Sequence, residues 1–423
     1  MATSWLAVDP GCSFTLQNLP YGVFSHSAGQ PRIGTAIGSN ILDLAVLQSK
    51  GLFQGPHLRQ SDCFSQTTLN AFMALGRPAW TEARARIQAL LRADEPALRD
   101  NEELRKAALI SQSKAIMHLP ANIPDYTDFY ASREHATTCG TILRGKENAL
   151  MPNWLHIPIA YHGRSSSIVV SGTPVRRPRG QLNPDSNAQP HTAACKWLDF
   201  ELEMAAFIGG PPNALGQPVS TAEAADRLFG LVLMNDWSAR DIQKWEGQPL
   251  GPFTAKNWAT SISPWVVTFD ALQPFRCEAP GQEATSPQVQ AYLQEPDRHS
   301  FNIQLSVEIT PLGNTTPTVI TRSNFKHLYW TLEQMVAHHS VTGCPMRPGD
   351  LLATGTISCD GELGQGSLLE QTMGGKQAVE LEGGEKRTFL QDGDTVTMRG
   401  WCEAGGVGLG FGSCTGQVVS AHP

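Results

Sequence analysis

The sequence predicts a mainly β fold of the α+β class, in two domains that meet near residue 118. Short β-branched runs bounded by Gly, Pro or Asp dominate beyond that point, as in SSIVVSG, WVVTFD, FNIQLSVEIT and DTVTMRGWC. Helical spacing is confined to a few segments. HLPANIPDYTD carries two prolines and interrupts the pattern where the boundary is expected, leaving residues 1–118 and 119–423 as the two domains.

In chain order, YGVFS, RIGTAIG and NILDLAVL read as small strands joined by turns. A helix is expected from Pro78, which suits a first helical turn, to Asp94, with Trp80, Ala83, Ile87, Leu90 and Leu91 at helical spacing. A second helical segment is expected near Pro96 to Gln112. Past the boundary two helices interrupt the strands. One follows Asp236; the other runs from about His327 to Ser340, with Leu328, Leu332, Met335 and Val336 on one face and Gly343 beyond its end. The polar, proline-bearing stretch from Pro274 to Pro296 reads as a long surface loop.

The bulk composition narrows the function. A chain of 423 residues with 41% hydrophobic and 17% charged residues is an ordinary globular protein with a sizeable core, not a disordered or coiled-coil chain. The formal charge of −7 provides no basic field for nucleic acid or an anionic membrane. Nine scattered cysteines without a C-x-x-C fit reduced thiols in a cytoplasmic protein better than a disulfide framework or a zinc site. No leader is read at the N-terminus, and LFGLVLM (228–234) falls far short of the roughly 20 residues of a membrane span.

WLDFELEMAAFIGG raises the first chemical question. Asp199, Glu201 and Glu203 alternate with Phe200, Leu202 and Met204, so in a strand the carboxylates share one face. That face is either the wet side of a half-buried strand or a place for a cation. In LMNDWSARDIQKWE, Asp236 reads as an N-cap. Arg240 and Gln243 lie three apart on one helical face, suited to an anionic, oxygen-rich substrate or else to a surface Asp236–Arg240 pair. DYTDFYASREHATTCG brings Asp128, Tyr130 and His135 together, and a histidine there is either structural or a general base. Lys256 follows a Gly-Pro turn, and Thr356 and Glu370 flank a Gly-rich loop. GGVGLGFGS lacks a phosphate-binding register, His338-His339 lack zinc-ligand spacing, and no G-x-S-x-G elbow is present.

Taken together, LPYGVFS, DYTDFYASREHAT, RGKENALMPNWLHIPIAYHGRSSSIVVSGTP, LDFELEMAAFIG, LMNDWSARDIQKWE, SNFKHLYWT and RPGDLLATGTIS resemble the fumarylacetoacetate hydrolase family over nearly the whole chain. The resemblance implies a small N-terminal SH3-like β-barrel domain with flanking helices and a larger β-roll catalytic domain, assembled as a homodimer. It implies metal-dependent hydrolysis of a carbon–carbon bond, with 4-fumarylacetoacetate and water giving fumarate and acetoacetate at the end of tyrosine and phenylalanine breakdown. A related hydrolase or decarboxylase of another acylpyruvate or β-diketo acid is the alternative.

The same resemblance assigns roles. Asp128, Glu201, Glu203 and Asp236 would be metal ligands, an all-oxygen set suited to Ca²⁺, Mg²⁺ or Mn²⁺, with no organic cofactor. A second cation would lie near Lys256 and Thr260. His135 would be the base, oriented by Glu370, and Arg240, Gln243 and Lys256 would stabilise developing negative charge. Tyr130, Arg144, Tyr161 and Thr356 would contact substrate together with Arg240 and Gln243. Asp199 is left facing solvent or a neighbouring strand. Gly247 departs from the family, which often has a substrate-contacting Tyr there.

Overall fold

A computed structural model describes residues 3–9, 11–27, 29–183, 189–282 and 287–423. The N-terminal part is built on a five-stranded antiparallel sheet. Its spatial order is Leu109–Ser111, Asn40–Asp43, Arg32–Ile37, Tyr21–Ser25, Ile116–His118. NILDLAVL is only half strand: the Asp43 side chain accepts the Val46 N–H and starts a helix over Leu44–Ser49. The helix expected from Pro78 spans Arg77–Leu91 and buries all five predicted apolar residues. Pro96 to Gln112 is not one helix. Asn101 accepts the Leu104 N–H and begins Glu102–Ala108 anew after Pro96–Arg99, and the chain then extends into a strand.

The larger C-terminal part is sheet-dominated. One sheet runs Ala160–His162, Tyr126–Phe129, Leu351–Ala353, Leu202–Ile208, Leu228–Asp236, Thr260–Ile262, Ile168–Val170, with Val267–Thr268 also on the long central strand. A second runs Thr318–Asn324, Gln304–Thr310, Thr395–Ala404, Val407–Val419, Val175–Arg176. The helix expected near His327 begins later, at Leu332, because Thr331 and Gln334 cap each other reciprocally. The Pro274–Pro296 loop contains a short strand, Arg276–Glu278, paired with His299–Phe301; its residues 283–286 lie outside the described residues.

The central strands are buried on both faces, which decides the opening question about the acidic stretch. Leu202, Met204, Ala206 and Ile208 enter the large C-terminal core, while Ala205 and Phe207 join the core around the N-terminal sheet and its helices. In Leu228–Asp236 the same division holds, with Val232 and Met234 on the N-terminal side. Glu203 shares the parity of Ala205, and Asp236 that of Met234, so both lie on the face covered by the N-terminal part. The acidic face is therefore not a wet one. Glu201 and Glu203 are both buried.

The nine cysteines are free thiols. Among the described residues no helix is long and apolar enough to cross a membrane.

Candidate active site

Sheet register brings four carboxylates from three segments to one end of the same sheet. Asp128 pairs with Ala353 on one side and Tyr161 on the other. Glu203 lies opposite Met234, and Asp236 ends its strand opposite Thr260. Glu201 sits just before the Leu202–Ile208 strand and bridges to Ser367. Leu202–Ile208 runs antiparallel to Leu228–Asp236 and to Leu351–Ala353, and Tyr126–Phe129 runs parallel to the latter, so the start of the first strand meets the ends of the others. Asp128, Glu201, Glu203 and Asp236 each present a ligand atom within 4.8 Å of the others, and all are buried.

Asp236 is a correction to the sequence reading. It is a strand end rather than an N-cap; Ser238–Ala239 intervene, and the helix starts at Arg240 with Ala239 as N-cap and no side-chain cap bond. Asp236 instead accepts bonds from Tyr161 (3.0 Å), Thr260 (3.1 Å) and Lys256 (2.6 Å). Lys256 also donates to Glu201.

Asp199 is the second correction. It is fully buried and faces neither solvent nor an idle strand. Its Oδ2 accepts from Arg240 Nε at 2.9 Å and from the Leu369 N–H at 2.9 Å, and its Oδ1 accepts from Leu368 and Phe200 N–H at 2.8 and 2.9 Å. Leu368 and Leu369 belong to the short helix Leu368–Gln371 that carries Glu370. Asp199 thus ties Arg240 to that helix. Arg240 does not form the surface pair with Asp236 that its spacing allowed. Its Nη2 lies 2.9 Å from Glu201 Oε1 as an ion pair without hydrogen-bond alignment, and its Nη1 donates to Gln243 Oε1 at 3.2 Å. Asp199→Asn weakens a buried pair, so we expect a loss of about 3 kcal/mol in urea unfolding together with reduced turnover.

His135 is the third residue of the helix Arg133–Arg144, whose N-cap Ser132 accepts its N–H. Its Nδ1 lies 2.8 Å from Glu370 Oε2, and its Nε2 faces the carboxylate cluster, 3.9 Å from Glu201 Oε1. Glu370 is fixed by Ser367 Oγ (2.7 Å) and Ser358 Oγ (2.9 and 3.1 Å). These two serines were missed from sequence, although Ser367-x-x-Glu370 has the spacing of a capping box. Tyr130 lays its ring edge-on to His135 at 5.3 Å.

The electrostatics divide the carboxylates. Burial raises Glu201, but Lys256 and Arg240 overcome it and hold it well below the ordinary carboxylate range. Burial followed by repulsion from Asp236 pushes Asp128 far up, and burial with Asp128 and Asp236 does the same to Glu203. Burial also raises Asp236, against the pull of Lys256. Burial disfavours the His135 cation, yet Cys139 and Glu370 beside the ring hold its basicity well above the histidine norm. Burial raises Glu370 but His135 brings it below its ordinary value.

A divalent cation fits this donor set. Asp128 Oδ1 and both oxygens of Glu203 are buried with no hydrogen-bond partner. A buried carboxylate oxygen without a donor is costly, and a hard cation supplies the missing partner. Four carboxylates face one ammonium, and the nearby guanidinium is shared with Asp199, so negative charge remains to be neutralised.

The remaining predicted residues are placed unevenly. Thr356 Oγ1 is buried without a partner. Arg144 is exposed and donates to the Asn148 and Ala149 carbonyls at 3.1 and 2.9 Å, so its contacts are to its own loop, although its charge reaches Tyr130. Gly140 permits that loop to close on the helix, since a Cβ there would lie 1.6 Å from the Ala149 oxygen. Gly140→Ala should cost about 1–3 kcal/mol in thermal or denaturant unfolding and displace Arg144. Gly247 ends the Arg240–Glu246 helix, and a Cβ would come 2.8 Å from the Gln243 oxygen, so a larger residue requires a different helix end.

Comparison with known proteins accords with this geometry. The family model described as fumarylacetoacetate (FAA) hydrolase C-terminal matches residues 126–419, and the one described as fumarylacetoacetase N-terminal matches residues 17–120. Fumarylacetoacetase of Mus musculus is 54% identical over 420 residues, covering 99% of each chain; that of Homo sapiens is 53% identical with the same coverage. The enzyme of Arabidopsis thaliana is 52% identical over 421 residues, again covering 99% of both chains. A solved fumarylacetoacetate hydrolase from psychrophilic Exiguobacterium antarcticum shares the fold at a TM-score of 0.52 and 17% identity, covering 96% of this chain and 100% of its own. With both family models matched in order and relatives above half identity along its whole length, this chain belongs to the fumarylacetoacetate hydrolase family.

Proposed function

We propose that the chain hydrolyses 4-fumarylacetoacetate with water to fumarate and acetoacetate. The observation that carries this is the His135–Glu370 pair turning its free nitrogen toward a four-carboxylate cluster with unsatisfied oxygens. Held by Asp128, Glu201, Glu203 and Asp236, a bound Ca²⁺, Mg²⁺ or Mn²⁺ would polarise the diketone oxygens of the substrate.

The protein's own groups supply the rest. Glu370 accepts the hydrogen bond from Nδ1–H, so in the neutral ring, the form that acts as base, the lone pair lies on Nε2. Nε2 takes a proton from water as its oxygen adds to the carbonyl carbon. Glu370 balances the resulting imidazolium. The carbon–carbon bond then breaks, its electron pair leaves as the acetoacetate enolate, and the proton is returned to that carbon. Arg240 and Lys256 place positive charge beside the developing oxyanion, and Gln243 is held at the same edge by Arg240. Tyr130, Tyr161, Thr356 and Arg144 complete the substrate-facing set in this assignment.

Lys256 acts here as counter-charge rather than as a metal donor, because its ammonium is engaged by Glu201 and Asp236. A second cation near it would be left with Thr260 and backbone oxygens. The division at residue 118, a homodimer and a cytoplasmic location, which the free thiols suit, belong to the same proposal. Loss of fumarylacetoacetate absorbance is expected with Mg²⁺ or Ca²⁺ present and should fall sharply after chelation. No turnover with any divalent cation would overturn the assignment.

A further inference from the structure

Ser358 has no role in the chemistry just described, yet both halves of the His135–Glu370 pair are fastened to it. Its Oγ accepts the Gly366 N–H at 3.0 Å. Its own proton is left for Glu370, whose Oε1 and Oε2 lie 2.9 and 3.1 Å away. Its backbone reaches the other half. The Ser358 carbonyl accepts the Ser132 hydroxyl at 3.3 Å, and its N–H donates back to Ser132 Oγ at 3.4 Å. Ser132 is the N-cap of the helix that carries His135 and accepts the His135 N–H at 3.3 Å. We infer that Ser358, through Ser132 on one side and its own hydroxyl on the other, is the positioning residue that sets the His135–Glu370 alignment.

The anchor itself is held by the sheet. Past the Leu351–Ala353 strand the chain stays bonded to its neighbour, with the Thr354 N–H donating to the Met204 carbonyl at 2.9 Å and the Ile357 N–H to the Leu202 carbonyl at 2.7 Å. On the other side the Ala131 N–H donates to the Thr354 carbonyl at 3.0 Å, one residue before Ser132. Ser358 is thereby fixed relative to the strand that carries Glu203. Ser132, Ser358 and Glu370 are all buried, so bulk water is not at hand to replace a donor that is lost.

A buried serine commonly does no more than satisfy a nearby backbone group. The Gly366 N–H alone would meet that need, whereas the proton of Ser358 is spent on a carboxylate. If Glu370 turns away, His135 Nδ1–H loses the acceptor now 2.8 Å from it, and Nε2 moves with the ring. Proton transfer depends on that direction, while substrate affinity does not. The inference rests on His135 being the base of the proposed reaction.

The test uses the full-length protein saturated with Mg²⁺. Ser358→Ala should lower kcat for fumarylacetoacetate by about tenfold to a hundredfold. Its KM should change by less than about twofold, and its Mg²⁺ affinity in calorimetry by less than about threefold. Ser132→Ala leaves every Glu370 donor in place; it should show the same split and carries the test alone if Ser358→Ala does not fold. In a His135→Gln background either serine substitution should change the residual kcat by less than about twofold, because no base is left to align. A merely structural serine would instead give losses that multiply with His135→Gln. That result, an unchanged kcat in the folded variants, or Mg²⁺ affinity or KM deteriorating in step with kcat would overturn the positioning role and leave the hydrolysis standing. Wild type without turnover would overturn both.

Discussion

His135→Gln is expected to lower kcat by about two to four orders of magnitude, the usual contribution of a positioned general base. Glutamine keeps much of the ring's volume and can still hydrogen-bond Glu370, so folding should survive. It has no basic nitrogen to accept a proton from water. Because His135 Nε2 stands 3.9 Å from Glu201 and is not one of the four clustered carboxylates, cation affinity should change by no more than about threefold. Stopped absorbance assays give the first quantity and calorimetric titration of Mg²⁺ or Ca²⁺ the second. A parallel collapse of both would make His135 a ligand instead of a base.

Glu203→Gln should reverse that pattern. Both Glu203 oxygens are buried without donors, so its charge is the one least compensated by protein groups. In the wild type, cation at a hundredfold excess over its dissociation constant should stabilise the fold by about 2.7 kcal/mol relative to chelated protein. The variant should lose most of that increment, with cation affinity falling by at least about a hundredfold and activity following it. Its chelated form should be no less stable than chelated wild type, because an amide is neutral as it stands, whereas Glu203 must either bury an unpaired charge or take up a proton to avoid it. Thermal melts with and without chelator check both signs. Equal metal-induced shifts in the two proteins would remove Glu203 from the ligand set.

Much of the secondary structure was legible because it depends on neighbours in sequence. Arg77–Leu91 follows from apolar spacing and a proline in its first turn, and Leu228–Asp236 from a mostly apolar run that ends at Asn235-Asp236. Boundaries were less legible where a side chain outside the periodic pattern decided them. Asp43 converted the end of a strand into a helix, Asn101 split a helix in two, and Thr331 with Gln334 delayed another by five residues from His327.

The sequence by itself determined which residue types are available for chemistry: the Asp199-x-Glu201-x-Glu203 alternation, Asp236, the His135 stretch, and a family pattern that names them together. It could not determine which face of a strand meets water, because alternation reads the same whether the polar side is solvated or covered. Only the tertiary structure decided that the N-terminal part packs on the Ala205 and Phe207 face, and that Glu201 and Glu203 are buried beside Asp128, Asp236 and Lys256 instead of facing bulk water. It also decided the fate of Asp199, whose partners Arg240, Leu368 and Leu369 lie 41 to 170 positions away. Burial in a low-dielectric interior turns an ordinary acidic face into groups that must each find a cation, a donor or a metal, and that requirement is set by packing rather than by period.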